Sequence, residues 1–119
     1  MPRDTPAIAT AADRRRLAGR LPALRDADAR AIGRFIDAAW AEHGLARQTQ
    51  DAYRRDLEQL ARWRDGAGGG IEGADRETLF RYMAWRHAAG YQPRSNARLR
   101  ASLRAFYAYL VRAGRRSDD

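Results

Sequence analysis

Cysteine and lysine are both absent from this 119-residue sequence. Without cysteine the chain forms neither a disulfide nor a thiolate metal site, a composition typical of cytoplasmic proteins. No apolar run approaches the roughly 20 residues that cross a bilayer. The opening residues also lack the apolar stretch of a secretory signal. We therefore expect a cytoplasmic protein without a membrane span.

Signals of catalysis are equally scarce. The two histidines, His43 and His87, fall in separate predicted helices, without a carboxylate cluster at metal-ligand spacing. The glycine-rich run at residues 66–70 follows a helical pattern and lacks the Gly-Lys-Ser/Thr ending of a phosphate loop, so it predicts a connector. No Ser-His-Asp arrangement stands out, and the five tyrosines fall on helix faces. The sequence therefore predicts no catalytic residue, no metal and no cofactor in this chain.

Positive charge is what the sequence has in excess. All 23 basic residues are arginine, against 15 acidic residues, and the net charge is +8. Such an excess favours a polyanionic partner, because each neutralised phosphate releases condensed counterions. The planar fork of arginine also suits phosphates and guanine edges. Genomic GC bias accounts for arginine in place of lysine, but it does not account for the positive excess.

The chain divides into an N-terminal extension at residues 1–26, a helical domain at residues 27–114 and a closing segment at residues 115–119. Three of the four prolines and a basic run at residues 14–16 lie in the extension. We expect a flexible basic tail, with a basic arm that touches DNA or a partner as the alternative. A short helix fits residues 11–21, and its thin apolar edge consists of Leu17, Leu21 and Leu24.

Four helical patterns follow, and none of the sequence alternates like a strand. Asp28 is a suitable N-cap for the first helix and Gly44 a suitable C-cap. Asp75 suits the start of the third helix, and Pro93 suits the first position of the fourth, where its missing N–H costs nothing. The predicted helices span residues 28–43, 47–65, 75–90 and 93–112.

Apolar residues recur at helical spacing in all four segments and predict one shared core. These stripes are Ile32, Phe35, Ile36, Ala39 and Trp40; Tyr53, Leu57, Leu60 and Ala61; Leu79, Phe80, Met83, Ala84 and His87; and Leu99, Leu103, Phe106, Tyr107 and Leu110. Arginines avoid the stripes of the second and fourth helices, as Arg47, Arg54, Arg55 and Arg62, and as Arg94, Arg98 and Arg112. Four short-looped helices around one core predict an all-α bundle.

Two helices carry a combination of motifs that is more specific than either motif alone. Residues 35–42 read FIDAAWAE, and the next helix has the pattern Thr49-x-x-x-Tyr53-x-x-Asp56-Leu57. The last helix continues in register with Arg98-Leu99, Leu103-Arg104, Phe106 and Tyr109-Leu110. From residue 28 to the end, the chain resembles the core-binding domain of Xer-type tyrosine recombinases, and within that family the XerD group.

The resemblance implies a fold and a role. The fold is the SAM-like core-binding domain of phage integrases and tyrosine recombinases, an orthogonal bundle of four helices. In such recombinases this domain and a catalytic domain clamp double-stranded DNA from opposite sides during site-specific recombination and chromosome dimer resolution. The catalytic domain supplies an arginine-rich constellation and a tyrosine nucleophile. Because residues 115–119 correspond to the start of the interdomain linker, we expect that domain to be absent from this chain.

The resemblance also implies which residues face the major groove, on the second and fourth helices. Carried over by position, they are Arg47, Gln48, Thr49, Gln50, Tyr53 and Arg54, and Gln92, Arg94, Ser95, Arg98 and Ala101. Arg98 is the candidate for a base edge and Arg94, at the mouth of the helix, for a phosphate; both are expected to point to solvent or DNA. The chain departs from the family at Ala46 and Gln92, where a serine or threonine cap is usual, and in its long extension.

The implied partners are double-stranded DNA and, in a full-length recombinase, a second recombinase protomer in the bacterial cytoplasm at the nucleoid. The isolated domain is expected to be monomeric. Two alternatives stay open on the residues alone. One is a helical protein–protein interaction module whose charge is incidental, and the other is a stand-alone architectural DNA-binding protein.

Overall fold

The helical periodicity of the sequence becomes five α-helices within residues 10–117, the part of the chain that the computed structural model describes. The helices are α1 (Ala11–Gly19), α2 (Asp26–His43), α3 (Arg47–Arg64), α4 (Arg76–Ala88) and α5 (Pro93–Arg112). A 3-10 segment (Ala67–Gly73) joins α3 to α4. Residues 10–117 contain no strand. The predicted all-α bundle is confirmed, and α2 to α5 are the four predicted helices.

The core forms where α2, α3 and α5 meet. The predicted stripe of α5 is wholly inside, and the rings of Phe35 and Phe106 meet edge to face at 5.4 Å. Phe106 has 0% of its surface exposed. The stripe of α2 is buried except for Trp40, which is 61% exposed. Trp40 was predicted as a core residue, and that prediction is wrong. The other buried residues of the predicted stripes of α2, α3 and α5 are Ile32, Ile36, Ala39, Leu57, Leu60, Ala61, Leu99, Leu103, Tyr107 and Leu110.

The start of α2 also differs from the prediction. Gly44 ends the helix in the left-handed conformation, as expected, but the helix begins at Asp26 and no side chain caps it. Asp28 is buried inside the helix, where its Oδ1 accepts a hydrogen bond from the backbone N–H of Ile71 at 2.9 Å. The carboxylate therefore holds the 3-10 segment, a long-range role that local capping preferences cannot indicate.

The glycine-rich run is more than a connector. Gly68, Gly69 and Gly70 all have positive φ, which glycine adopts without strain. A Cβ at Gly70 would also collide with the Asp28 carboxylate. The resulting turn inserts Ile71 into the core with 0% exposure. Its carbonyl accepts a hydrogen bond from the Tyr107 hydroxyl at 2.7 Å, so this segment closes one side of the bundle.

Helix α4 has the predicted cap but a different inner face. Asp75 accepts a hydrogen bond from the backbone N–H of Thr78 at 2.8 Å. Hydrogen bonding by the Thr78 side chain, and then by this N–H, lowers the pKa of the Asp75 carboxyl. The residues that face the interior are Thr78, Tyr82 and Arg86. Of the predicted stripe, Leu79 and Met83 are half-buried and pack against the core, whereas Phe80, Ala84 and His87 are exposed. The prediction was wrong for these three because the inner face is taken by Tyr82, which contacts the Trp63 ring, and by Arg86, which is hydrogen-bonded to α3 and α5.

The segment before α2 lies against the C-terminal half of α3. The Arg62 side chain donates to the carbonyls of Pro22 at 2.8 Å and Leu21 at 3.1 Å, and Leu24 packs against the core. The side chain of Leu17, in the predicted edge of α1, lies outside the described residues, as do residues 1–9 and 118–119. None of the helices in residues 10–117 has the length and apolar character of a membrane span.

We expect Phe106→Ala to lower the free energy of unfolding by about 3–5 kcal/mol, because it leaves a cavity in the core. Phe80→Ala is the matched control, since the Phe80 ring is 70% exposed, and it should change stability by less than about 0.5 kcal/mol. Urea denaturation followed by circular dichroism measures both. Equal costs for the two substitutions would contradict the outward placement of Phe80.

Candidate nucleic-acid interface

The predicted DNA-facing residues of α3 lie in its first two turns. Arg47 and Gln48 are exposed, and the other four, Thr49, Gln50, Tyr53 and Arg54, are half-buried. Ala46 occupies the N-cap without a side-chain hydrogen bond. The turn before the helix is held differently, because Gln50 Nε2 donates to the carbonyl of Leu45 at 2.7 Å. The first backbone N–H groups of α3 therefore receive no hydrogen bond from a capping side chain.

The predicted residues of α5 lie at the corresponding end of that helix. Pro93 opens the helix as predicted, and Gln92 is an N-cap without a side-chain hydrogen bond. Gln92 and Arg94 are exposed, whereas Ser95 and Ala101 are half-buried. Neither α3 nor α5 has an acidic residue in its first turn, while α2 and α4 both do. The two predicted DNA-reading helices thus share uncapped N-termini free of negative charge.

Arg98 is bound to Asp56 instead of pointing freely to solvent. Its Nε and Nη2 donate to the two carboxylate oxygens at 2.9 and 2.7 Å. The Asp56 side chain is 4% exposed and that of Arg98 is 43% exposed. The hydrogen bond to Asp56 raises the pKa of the Arg98 guanidinium. Arg98, which we expected to point to solvent or DNA, keeps a partly exposed side chain, but two of its nitrogens join α5 to α3.

A buried arginine that sequence reasoning missed lies next to this ion pair. Arg86 donates from Nε to Asn96 Oδ1 at 2.8 Å and from Nη1 to Gln59 Oε1 at 2.9 Å. Its guanidinium lies 4.1 Å from the centre of the Tyr91 ring. The available signal was the spacing of Thr78, Tyr82 and Arg86, which puts three polar side chains on one face of a helix.

A cleft of about 420 Å³ opens beside these polar contacts, bounded by α1, α3 and α5. Among its lining residues are Arg98 and Ser95 from the predicted set. Arg15, Arg55 and Arg62 also line it, although the positional carry-over did not select them. The cleft also includes Asp56 and Glu58, so its charge is mixed but mainly positive. In residues 10–117, no three histidine or acidic residues gather as a metal site would require.

The predicted residues therefore fall into two groups. Ser95 and Arg98 of α5 line the cleft, whereas none of the six predicted residues of α3 does. Arg47 lies apart from this cleft, in a shallow groove with Trp40 at the end of α2. Guanidinium groups and helix N-termini in this arrangement can bind anions.

Comparison with known proteins gives one family. The model of the phage integrase N-terminal SAM-like domain matches residues 32–114. The tyrosine recombinase XerD of Xanthomonas campestris pv. campestris is 64% identical over 108 residues, which is 91% of this chain and 33% of the relative. XerD of Xanthomonas axonopodis pv. citri is 62% identical, over 81% of this chain and 32% of the relative. XerD of Pseudomonas aeruginosa is 47% identical, over 74% and 30%. No match to a solved structure was found.

Two facts about coverage qualify these similarities. The chain spans about a third of the length of these relatives. The aligned stretch of 108 residues in the first relative is too long to lie wholly after Asp26. Similarity therefore continues into the N-terminal extension, which we had expected to lie outside the family pattern.

Because Arg98 pairs with Asp56, replacing Arg98 should lower the free energy of unfolding more than replacing an ordinary surface arginine does. We expect Arg98→Ala to lower the free energy of unfolding by about 1–3 kcal/mol, because the Asp56 carboxylate stays buried without its partner. Arg94→Ala is the control and should cost less than about 0.5 kcal/mol. A double-mutant cycle with Asp56→Ala, measured by urea denaturation, should give a coupling of about 0.5–3 kcal/mol. Strictly additive costs would contradict the pairing.

Proposed function

Because the chain belongs to the phage integrase N-terminal SAM-like domain family, we propose that it is the DNA-holding domain of a XerD-like tyrosine recombinase. Its task is to grip one face of the duplex at the recombination site during site-specific recombination, chromosome dimer resolution included. Strand cleavage is the work of another domain, since the chain spans about a third of its relatives. The second recombinase protomer and the nucleoid location belong to the same proposal.

The proposal is carried by the pairing of two helices that have positively charged, uncapped N-termini. The ion pair of Asp56 with Arg98 and the buried hydrogen bonds of Arg86 hold α3 and α5 together. Within residues 10–117, Arg54 and Arg94 make no ion pair or hydrogen bond, which leaves their guanidinium groups available to phosphates. A duplex laid across both helices would therefore meet cationic side chains on each.

Phosphate contacts supply the affinity in this mechanism. Backbone N–H groups at a helix N-terminus and the helix dipole attract phosphate, and an acidic residue in the first turn would oppose that attraction. Arg94, at the mouth of α5, is the proposed phosphate contact. The major groove accepts an α-helix, so the first turns of α3 and α5 can enter it together.

Arg98 has a narrower role than a free arginine would. Two of its nitrogens bind Asp56, and its Nη1 makes no hydrogen bond within residues 10–117. We propose that Nη1 reaches the DNA while the bidentate bond to Asp56 sets the direction of the guanidinium. A pre-oriented arginine loses less conformational freedom on binding than a mobile one. Arg15, Arg55 and Arg62, around the adjoining cleft, extend the cationic surface along the duplex.

We expect the 119-residue chain to bind a short fluorescent duplex with weak sequence discrimination and a strong dependence on salt. Arg47→Ala and Arg94→Ala should each weaken binding to all sequences alike and reduce the slope of log affinity against log salt by about 0.9. Arg81→Ala is the matched control, because Arg81 lies on the outer face of α4 and pairs with Glu77. Fluorescence anisotropy over a salt series gives the slopes.

The contrary outcomes are distinct. No detectable binding to duplex DNA at low salt would contradict the proposal and favour a protein-interaction module. An equal loss for Arg81→Ala would mean that net charge alone binds DNA, without a defined surface on α3 and α5.

A further inference from the structure

An apolar groove lies open to solvent between α4 and α5, away from α3. Its volume is about 430 Å³, and Leu79, Phe80 and Met83 of α4 face Leu103 of α5 across it. The groove continues along the same two helices to Tyr107. The Phe80 ring is 70% exposed. An apolar groove with an exposed aromatic ring at its edge is typical of a protein-binding site.

The packing of α4 leaves one aromatic ring in water. Helix α4 turns Thr78, Tyr82 and Arg86 toward the interior, Leu79 and Met83 lie half-buried against the core, and Phe80 faces solvent. Exposing Phe80 forgoes the stabilisation that burying an aromatic ring provides. A partner that covers the groove would recover that free energy.

The rim of the groove has one sign of charge. Arg76, Arg100 and Arg104 line it, and none of its lining residues is acidic. Within residues 10–117 these three arginines make no ion pair or hydrogen bond. Some exposed arginines elsewhere are paired within the domain: Arg112 with Glu42, and Arg115 with Glu72. An acidic occupant would supply the counter-charge that the lining of the groove lacks.

The groove lies on a different flank of α5 from the proposed DNA surface. Successive residues of a helix turn by 100°, so Arg104 is about 120° around α5 from Arg98. Arg98 binds α3, whereas Arg104 borders α4. An apolar floor also has little to offer a phosphate backbone. DNA and a second ligand can therefore occupy the domain at the same time.

We propose that the α4–α5 groove binds an acidic amphipathic helix of a partner protein. Apolar residues at i, i+4 and i+7 of that helix would pack on Leu79, Phe80 and Leu103, and flanking carboxylates would pair with the arginine rim, the helix-in-groove mode of recognition. A two-fold contact with a second copy of this chain is disfavoured, because it would set the arginine rim against itself. The proposal stands independently of the DNA-binding function.

The test uses a fluorescent synthetic helix with leucines at i, i+4 and i+7 and glutamates beside them, titrated with the 119-residue chain by anisotropy. Phe80→Asp should weaken binding at least about tenfold, the effect of losing a central anchor. The double variant Arg100→Glu and Arg104→Glu should weaken it similarly, and a peptide with lysines in place of glutamates should restore binding. Trp40→Asp, at an exposed ring outside the groove, and a scrambled peptide are the controls.

Circular dichroism verifies that each variant is folded. If Phe80→Asp does not fold, the double variant Arg100→Glu and Arg104→Glu, with its lysine peptide, tests the groove instead. Equal weakening by Trp40→Asp, or equal binding of the scrambled peptide, would overturn the proposal in favour of general attraction between charges. Sedimentation that shows a dimer lost in Phe80→Asp would assign the groove to a second copy and overturn it as well. Loss of duplex binding in Phe80→Asp with peptide binding unchanged would assign it to DNA.

Discussion

Arg86 joins three helices from a position that is 2% exposed. Its guanidinium donates to the neutral amide oxygens of Asn96 on α5 and Gln59 on α3, and it lies over the Tyr91 ring. A buried charge without hydrogen-bond partners costs several kcal/mol, so each partner must stay in place. The rotation of α4 that directs Arg86 inward also directs Phe80 outward. One buried cation therefore determines both the packing of α4 and the open groove beside it.

The arginines of this chain have different tasks, although composition counts them alike. Arg64 donates to the carbonyls of Gly68, Gly70 and Gly73 and so holds the glycine turn that inserts a residue into the core. Arg98 is committed in part to Asp56. The positive excess is thus shared between structural arginines and surface arginines. Partners and burial, and not net charge, distinguish the cations that remain available to the proposed DNA partner.

Much of the fold followed from local pattern. The bounds of α3 and α5, the Gly44 and Asp75 caps and the buried stripe of α5 agree with the structure, because those helices bury one strongly apolar face. The resemblance to the XerD group, inferred from motifs on two helices, is confirmed by the family match and by relatives of high identity. The DNA-facing residues remain a prediction, because they were carried over from the family by position alone, without an observed contact with DNA.

The sequence by itself determined the all-α class, the bounds of α3 and α5 to within a residue and the family, because periodicity, caps and motifs are properties of neighbouring residues. Tertiary structure decided what depends on distant ones: which face of α4 is inside, what Asp28 binds and how free Arg98 is. Asp28 holds Ile71 and Arg98 holds Asp56, each more than 40 residues away along the chain. Such contacts exist only after the helices have packed, and a buried hydrogen bond then outweighs the local preference for an apolar inner face.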